Sequence, residues 1–135
     1  MLLDAKPSKP KTGIQKYISV PLLVIVIVIV GGVAYYAFHN YPEELVLEKF
    51  LTAVEQGHYQ EAYRIWQPAP EYAFQDFMHD WGPHGDYGKI HEFVILHTHD
   101  EGSRTVVITV RINNENPPLN LVVDRKTKGL AYSPF

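Results

Sequence analysis

The longest pattern in the chain is an apolar run without a charged residue, which begins at Ile18, passes through Val24 and Val30, and ends at Phe38. Its 21 residues would form a helix of about 31 Å, close to the hydrocarbon thickness of a bilayer, about 30 Å. The β-branched centre has the composition of a buried strand, but strands are usually under about ten residues. In lipid, a helix also satisfies its own backbone hydrogen bonds. The run therefore predicts a transmembrane helix over residues 17–39, with the lipid bilayer as a partner.

A secretory signal peptide is the main alternative interpretation of this run. Lysines precede it, and Gly32 and Ala34 form a small-x-small cleavage site, which would place the cut after Ala34. The run continues past that site through Tyr35, Tyr36 and Phe38. Because aromatic residues are typical of the membrane–water interface, they favour an uncleaved anchor.

The charges on either side of the run predict its orientation. Residues 1–16 contain four lysines and one acid, Asp4, whereas Glu43 and Glu44 are the first charges after the run. By the positive-inside rule, the N-terminus lies in the cytoplasm. Residues 40–135 then form an extracytoplasmic or periplasmic domain anchored in the cell (inner) membrane. The tail over residues 1–16 has too few apolar residues to fold and is predicted to be disordered.

The domain after the run is acidic, since residues 43–135 contain eight Lys or Arg and fourteen Asp or Glu. Nucleic-acid binding depends on clustered basic residues, so this composition argues against a nucleic acid as partner. The sequence contains no cysteine, which excludes a lipoprotein anchor. The length after residue 40 is enough for one small domain.

Three helical patterns follow the apolar run. The first begins at Pro42, a residue suited to the first helical turn, and ends at Gly57. The second is predicted over residues 59–66, before a proline-rich break, and the third over residues 72–81. The third carries large apolar residues at i, i+3, i+4 and i+7, namely Phe74, Phe77, Met78 and Trp81. Such a stripe is typical of a helix that packs onto a sheet, although it can also form one wall of a ligand site.

Alternating β-branched residues later in the chain predict an antiparallel meander. Strands are predicted over residues 90–99, 104–112, 119–123 and 130–132, with a tight turn at Glu101 and Gly102 between the first two. The predicted register of this hairpin places three pairs on the core face: Phe93 with Val110, Ile95 with Ile108, and His97 with Val106. It places two polar pairs on the other face: Glu92 with Arg111, and Thr98 with Thr105.

Helices followed by an antiparallel meander predict an α+β domain, in which three helices pack on a curved antiparallel sheet of three to four strands. The pattern Phe50-Leu51-x-Ala53, then Gly57-x-Tyr59-x-x-Ala62-Tyr63, the aromatic third helix and the Val- and Thr-rich hairpin resemble small membrane-anchored domains of the nuclear transport factor 2-like superfamily. The resemblance covers about two thirds of the chain. It implies a cone-shaped domain that relatives use either to enclose a substrate or to bind partners, and fold alone does not choose between these uses.

The candidate site consists of the side chains expected to point into this cone. The pocket candidates are aromatic or ionisable residues: Tyr63, Trp66, Asp76, Trp81 and His97. A cone filled by Trp66, Phe74 and Trp81 would argue against an enzyme, whereas an open cavity with two convergent polar side chains would favour one.

Two histidines are weak candidates for a metal site. Strand alternation places His91, His97 and His99 on the core face, and His97-x-His99 sets two imidazoles about 6.6 Å apart along a strand, within reach of one metal ion. A third ligand would have to come from elsewhere, with Asp100, His79 and His84 as candidates. Because two ligands do not define a site, no metal and no cofactor are predicted.

The sequence contains no familiar nucleophile elbow, phosphate loop or zinc-protease motif. The predicted function is therefore that of a single-pass, non-catalytic accessory or assembly subunit, or of a binding domain, with an integral membrane protein complex as a possible partner. The alternative is a membrane-tethered enzyme with His97 or Asp76 as acid–base residue. A metal-binding module that uses His97 and His99 is a further alternative.

Overall fold

A computed structural model describes residues 14–114 and 116–135, and most of the predicted disordered tail, residues 1–13, lies outside the described residues. The chain separates into two compact units, Met1–His39 and Asn40–Phe135. The first unit contains helix α1, and the second contains three further helices and a sheet.

Helix α1 comprises Ile14–Phe38, so it begins before the predicted position 17. The prediction of disorder was therefore wrong for residues 14–16, because no glycine or proline separates them from the apolar run and a nucleated helix extends easily. The large apolar side chains from Val20 to Phe38 are exposed. By length and composition α1 can cross a membrane, with a mean hydropathy of 2.5 over 18 residues. The coarse prediction of one apolar helix of spanning length near the N-terminus is confirmed.

Three helices open the second unit: α2 at Tyr41–Glu55, α3 at Tyr59–Trp66 and α4 at Phe74–Trp81. Helix α4 begins two residues later than predicted because Tyr72 belongs to the preceding turn, where its N–H donates to the carbonyl of Ala69 at 2.9 Å. The start of α4 is capped by Asp76, whose Oδ2 accepts the N–H of Ala73 at 3.3 Å.

Four strands follow: β1 at Phe93–Glu101, β2 at Thr105–Ile112, β3 at Leu119–Asp124 and β4 at Leu130–Tyr132. They form one open antiparallel sheet in the order β1-β2-β3-β4. The predicted α+β architecture, with three helices and an antiparallel sheet of four strands after the apolar helix, is confirmed at this level.

The predicted register of the β1–β2 hairpin was wrong. Phe93 pairs with Ile112 and Ile95 with Val110, two residues away from the predicted partners. Glu101 pairs with Thr105, so the loop contains three residues and begins at Gly102, whose φ of 69° suits glycine. The predicted register followed from a tight turn at Glu101 and Gly102. The charge and threonine pairs that agreed with it contribute only about 0.2–1 kcal/mol each and do not decide between registers that bury the same apolar face.

A β-bulge at Leu96 reverses the side-chain alternation in the second half of β1. The register shifts between Ile95 and His97, so that His97 pairs with Thr109 and Thr98 with the buried Ile108. His97 and His99 are exposed, and the prediction that they share the core face with Phe93 was wrong. Without the bulge both imidazoles would lie on the helix-facing side of the sheet, where Thr98 is now half-buried, and would lose part of their hydration.

The helices cover one face of the sheet and form a single core with it. Alternate residues of β2 and β3 enter this core, namely Val106, Ile108, Val110, Ile112, Leu121 and Val123. From the other side, α2 contributes Leu47, Phe50, Leu51 and Val54. These side chains are almost fully buried, and removal of their apolar surface from water is the main stabilising term of the domain.

The β3–β4 turn is held by the carboxylate of Asp124. Its Oδ1 accepts the N–H groups of Lys126 at 2.8 Å and Thr127 at 2.9 Å, and its Oδ2 accepts Nε–H of Arg104 at 2.9 Å. The hydrogen bond from Thr127, and next the one from Arg104, lower the pKa of Asp124 from 3.8 to about 2.

Because this pKa is lower in the folded than in the unfolded state, Asp124 stabilises the fold above about pH 4, and the contribution is lost as the pH falls towards about 2. We expect Asp124→Asn to lower the Tm at about pH 6 and to converge with the wild type near pH 2. Thermal unfolding across this range measures the difference, with the exposed Glu92→Gln as control for net charge. A Tm difference that is constant with pH would contradict the role of the ionised carboxylate.

Candidate functional site

The space between the helices and the sheet is filled by aromatic rings. Phe50 lies at the centre, with its ring centroid 5.1 Å from that of Trp66, 6.0 Å from Phe77 and 5.0 Å from Trp81. All four side chains are buried. The space between the helices and the sheet is therefore packed at this position.

The five pocket candidates from the sequence lie in different places. Tyr63, Trp66 and Trp81 belong to the aromatic cluster, where the hydroxyl of Tyr63 donates to the carbonyl of Tyr72. Asp76 is exposed at the start of α4, and His97 is exposed on β1. The structure brings the three aromatic candidates together and leaves the two ionisable candidates outside the cluster.

A groove opens beside the aromatic cluster, between the end of α3, the α3–α4 connection and β4. We call it the aromatic groove. Its volume is about 430 Å³, and its lining consists of Trp66, Gln67, Ala69, Tyr72, Leu130, Ala131 and Tyr132. Of these residues, only Trp66 was a candidate from the sequence. The fold brings the other aromatic residues to Trp66 from distant positions in the chain. Tyr132, for example, lies on the last strand, and its ring centroid is 5.2 Å from that of Trp66.

The polar side chains of the aromatic groove hydrogen-bond to other protein groups. The hydroxyl of Tyr132 donates to that of Tyr72, which in turn donates to Asp80 Oδ2 at 2.6 Å. Burial, and then the neighbouring Asp80 and Tyr72, raise the pKa of the two phenols, so both remain protonated at neutral pH. Gln67 Nε2 donates to the carbonyl of Thr127 at 2.7 Å.

The aromatic groove lies beside an open edge of the sheet, since β4 is the last strand in the strand order. Gly129 and Ser133 bond to β3 through their backbones, at 3.0 and 3.1 Å. Because backbone bonding alternates along an antiparallel strand, the N–H and C=O groups of Leu130 and Tyr132 point to the open edge. Such an edge can pair with an added strand.

A second group of side chains lies where α4 ends. One donor atom from each of His79, Asp80 and Asp86 lies within 4.8 Å of the others. The loop that returns Asp86 packs tightly on the helix end, because a Cβ at Gly85 would lie 2.7 Å from the carbonyl oxygen of His79 and 2.8 Å from that of Asp80. Gly85 therefore permits the close approach.

The histidines of β1 do not form a comparable group. The rings of His97 and His99 stack with centroids 5.4 Å apart, and Glu101 lies 3.9 Å from His99. Across the described residues, His79, Asp80 and Asp86 are the only His, Cys, Asp or Glu set of three with suitably close donor atoms. His79 was a candidate third ligand in the sequence, but Asp86 was missed, although the glycine and proline residues after α4 signal a tight reversal.

An ion-pair network, also missed by sequence reasoning, surrounds the buried carboxylate of Glu43. Glu43 Oε1 accepts hydrogen bonds from Arg125 at 3.2 Å and Lys128 at 3.0 Å. Arg125 also donates to Asn40 Oδ1 at 2.7 Å and to Asp100 Oδ1 at 2.6 Å. Glu43 and Arg125 are 82 residues apart in sequence, so no local pattern marks the pair.

Comparisons with models of known protein families, with curated proteins and with solved structures find no match for this chain.

Proposed function

We propose that this protein is a single-pass, N-in membrane protein whose residues 40–135 form a non-catalytic binding domain outside the cytoplasm, and that the domain serves as an accessory or assembly subunit of an integral membrane complex. The observation that carries the proposal is the aromatic groove beside the open edge of β4, in a domain that directly follows a helix of spanning length. The sequence resemblance supports assignment to the nuclear transport factor 2-like superfamily.

The groove has the features of a site for an extended peptide. Leu130 and Tyr132 direct backbone donors and acceptors to the edge, and an added strand would pair with them. Trp66, Tyr72 and Tyr132 provide a largely apolar surface for side chains of that strand. Aromatic residues of this type dominate binding energies at interfaces because they bury a large area with few rotatable bonds.

The state of the polar groups supports binding rather than catalysis. A general base must be able to accept a proton near neutral pH. In the groove, both phenols are protonated, and Tyr72 and Gln67 already hydrogen-bond to Asp80 and to the carbonyl of Thr127. The packed position of Phe50, Trp66 and Trp81 also argues against a substrate cavity inside the cone.

The groove can be blocked by replacing Ala69, an exposed residue of its lining in the α3–α4 connection, with arginine. We expect Ala69→Arg to abolish or strongly reduce co-purification of a partner from gently solubilised membranes, because it places a long charged side chain at the apolar groove. Val94→Arg is the matched control, since Val94 is an exposed residue of the opposite edge strand, β1.

Equal recovery of partners with both variants would contradict a partner site in the groove, and a wild-type protein that purifies alone would contradict the accessory role. Protease treatment of spheroplasts, from which any outer membrane has been removed, tests the proposed topology separately. We expect residues 40–135 to be digested from outside, whereas full protection would place the domain in the cytoplasm. Release of a fragment that begins after Ala34 would indicate a cleaved signal peptide.

A further inference from the structure

We propose that His79, Asp80 and Asp86 form a binding site for a divalent transition-metal ion of the zinc type at the end of helix α4. The three side chains offer one imidazole nitrogen and two carboxylate oxygens, all within 4.8 Å of one another. Three atoms at that spacing can contact a common ion at about 2.0–2.2 Å, the usual zinc–nitrogen and zinc–oxygen distances, after small rotamer changes. This site differs from the aromatic groove and does not depend on the proposed function.

The first step of the argument is the orientation of Asp80. Its Oδ2 accepts the hydroxyl hydrogen of Tyr72 at 2.6 Å, while its Oδ1 lies 3.8 Å from Nδ1 of His79. One oxygen is therefore held by a residue outside the group, and the other is directed at the imidazole. Hydrogen bonds of this kind fix the carboxylate ligands of metal sites and typically change affinity by about 10–100-fold.

The second step is electrostatic. Among the described residues, neither Asp80 nor Asp86 pairs with a lysine or arginine, and Asp80 Oδ1 faces the imidazole of His79 at 3.8 Å. The C-terminal end of α4, where His79 and Asp80 lie, adds the negative pole of the helix dipole. A cation at this position would neutralise a cluster of uncompensated negative charge.

The third step concerns which metal fits. A nitrogen ligand disfavours Ca²⁺ and Mg²⁺, which prefer oxygen ligands only. Zn²⁺ accepts one histidine and two carboxylates and leaves a fourth position for water. His79 is exposed, so an ion can reach the site from solvent.

Zinc binding is best tested on the full chain in lipid nanodiscs, without a polyhistidine tag. Isothermal titration with Zn²⁺ alone should give one site, and Zn²⁺ should raise the Tm of the wild type, whereas Mg²⁺ should leave it unchanged. We expect His79→Ala and Asp86→Asn each to weaken zinc binding by at least about 10-fold, since loss of a direct ligand costs no less than loss of an outer-shell partner. The double variant His97→Ala/His99→Ala is the control and should bind like the wild type.

Three results would overturn the proposal: no zinc binding by the wild type, unchanged affinity in both His79→Ala and Asp86→Asn, or loss of binding only in the His97→Ala/His99→Ala control. X-ray absorption of the zinc-loaded wild type gives a test that needs no variant to fold. We expect one imidazole and otherwise oxygen ligands, and two imidazoles would assign the ion to another site.

Discussion

Replacing Phe50 with alanine is expected to lower the free energy of unfolding of residues 40–135 by about 3–5 kcal/mol. Phe50 is fully buried and contacts three other aromatic side chains, Trp66, Phe77 and Trp81. The substitution would remove the central ring and leave a cavity that rigid neighbours cannot fill. Since a small domain is typically stable by only about 5–15 kcal/mol, this single change would remove a large share of its stability.

Denaturant unfolding followed by tryptophan fluorescence measures this effect, and the two tryptophans of the chain, Trp66 and Trp81, both lie in the buried cluster. Phe50→Leu keeps most of the volume and should cost less than half as much. Val94→Ala, at an exposed position, should change the free energy by no more than about 0.5 kcal/mol. A cost for Phe50→Ala as small as that of Val94→Ala would show that the aromatic cluster is not the centre of the core.

Elements with a strong local signal were predictable from the sequence. Helix α3 has the predicted bounds, Tyr59–Trp66, because a glycine before it and a proline-rich break after it confine the helix. Strand β4 also has its predicted bounds, Leu130–Tyr132. In both cases the limits are set by residues adjacent in sequence, and tertiary contacts did not change them.

The pairing of β1 was not predictable, because a strand pattern with a period of two assumes an uninterrupted strand. The bulge at Leu96 adds one residue, and every side chain after it changes face. Leu96 is itself exposed, so its apolar character gave no indication that the alternation would break there. This one residue moved His97 and His99 from the predicted core face to solvent.

The candidate sites were only partly predictable for a related reason: they join residues from distant parts of the chain. Sequence reasoning identified Trp66 by its place in an aromatic pattern. The groove also needs Tyr72 and Tyr132, whose hydroxyl groups are in contact although the two residues are 60 positions apart in the sequence. Likewise, His79 was a candidate ligand from the sequence, whereas Asp86 joins it and Asp80 only through the turn that Gly85 permits.

The second large expected effect concerns Glu43, which is the one buried charged residue among the described residues. Its side chain is 3% exposed, and it pairs with Arg125 and Lys128, which are 20% and 37% exposed. Breaking a wholly buried pair costs about 3–5 kcal/mol, because a charge is left without a partner. Here the two cations can regain some hydration, so we expect Glu43→Gln to lower the free energy of unfolding by about 2–3 kcal/mol.

The neighbouring Glu44 gives a matched control, because it lies in the same first turn of α2 and is only half-buried. Glu44→Gln should cost no more than about 0.5 kcal/mol. A double-mutant cycle between Glu43→Gln and Arg125→Gln should give a coupling energy of more than about 1 kcal/mol. Additive effects in this cycle, or equal costs for the two glutamates, would contradict a structural role for the network.

The position of this network in the chain links stability to the proposed anchor. Asn40 and Glu43 both accept hydrogen bonds from Arg125. In the sequence, Asn40 lies two positions and Glu43 five positions after Phe38, the last residue of α1. Loss of Glu43 should therefore loosen the start of α2 before it affects the sheet, because Asp124 holds the β3–β4 turn independently. Hydrogen exchange tests this order: in Glu43→Gln, we expect faster exchange at the start of α2 than in β2 and β3, and a uniform increase over the domain would contradict it.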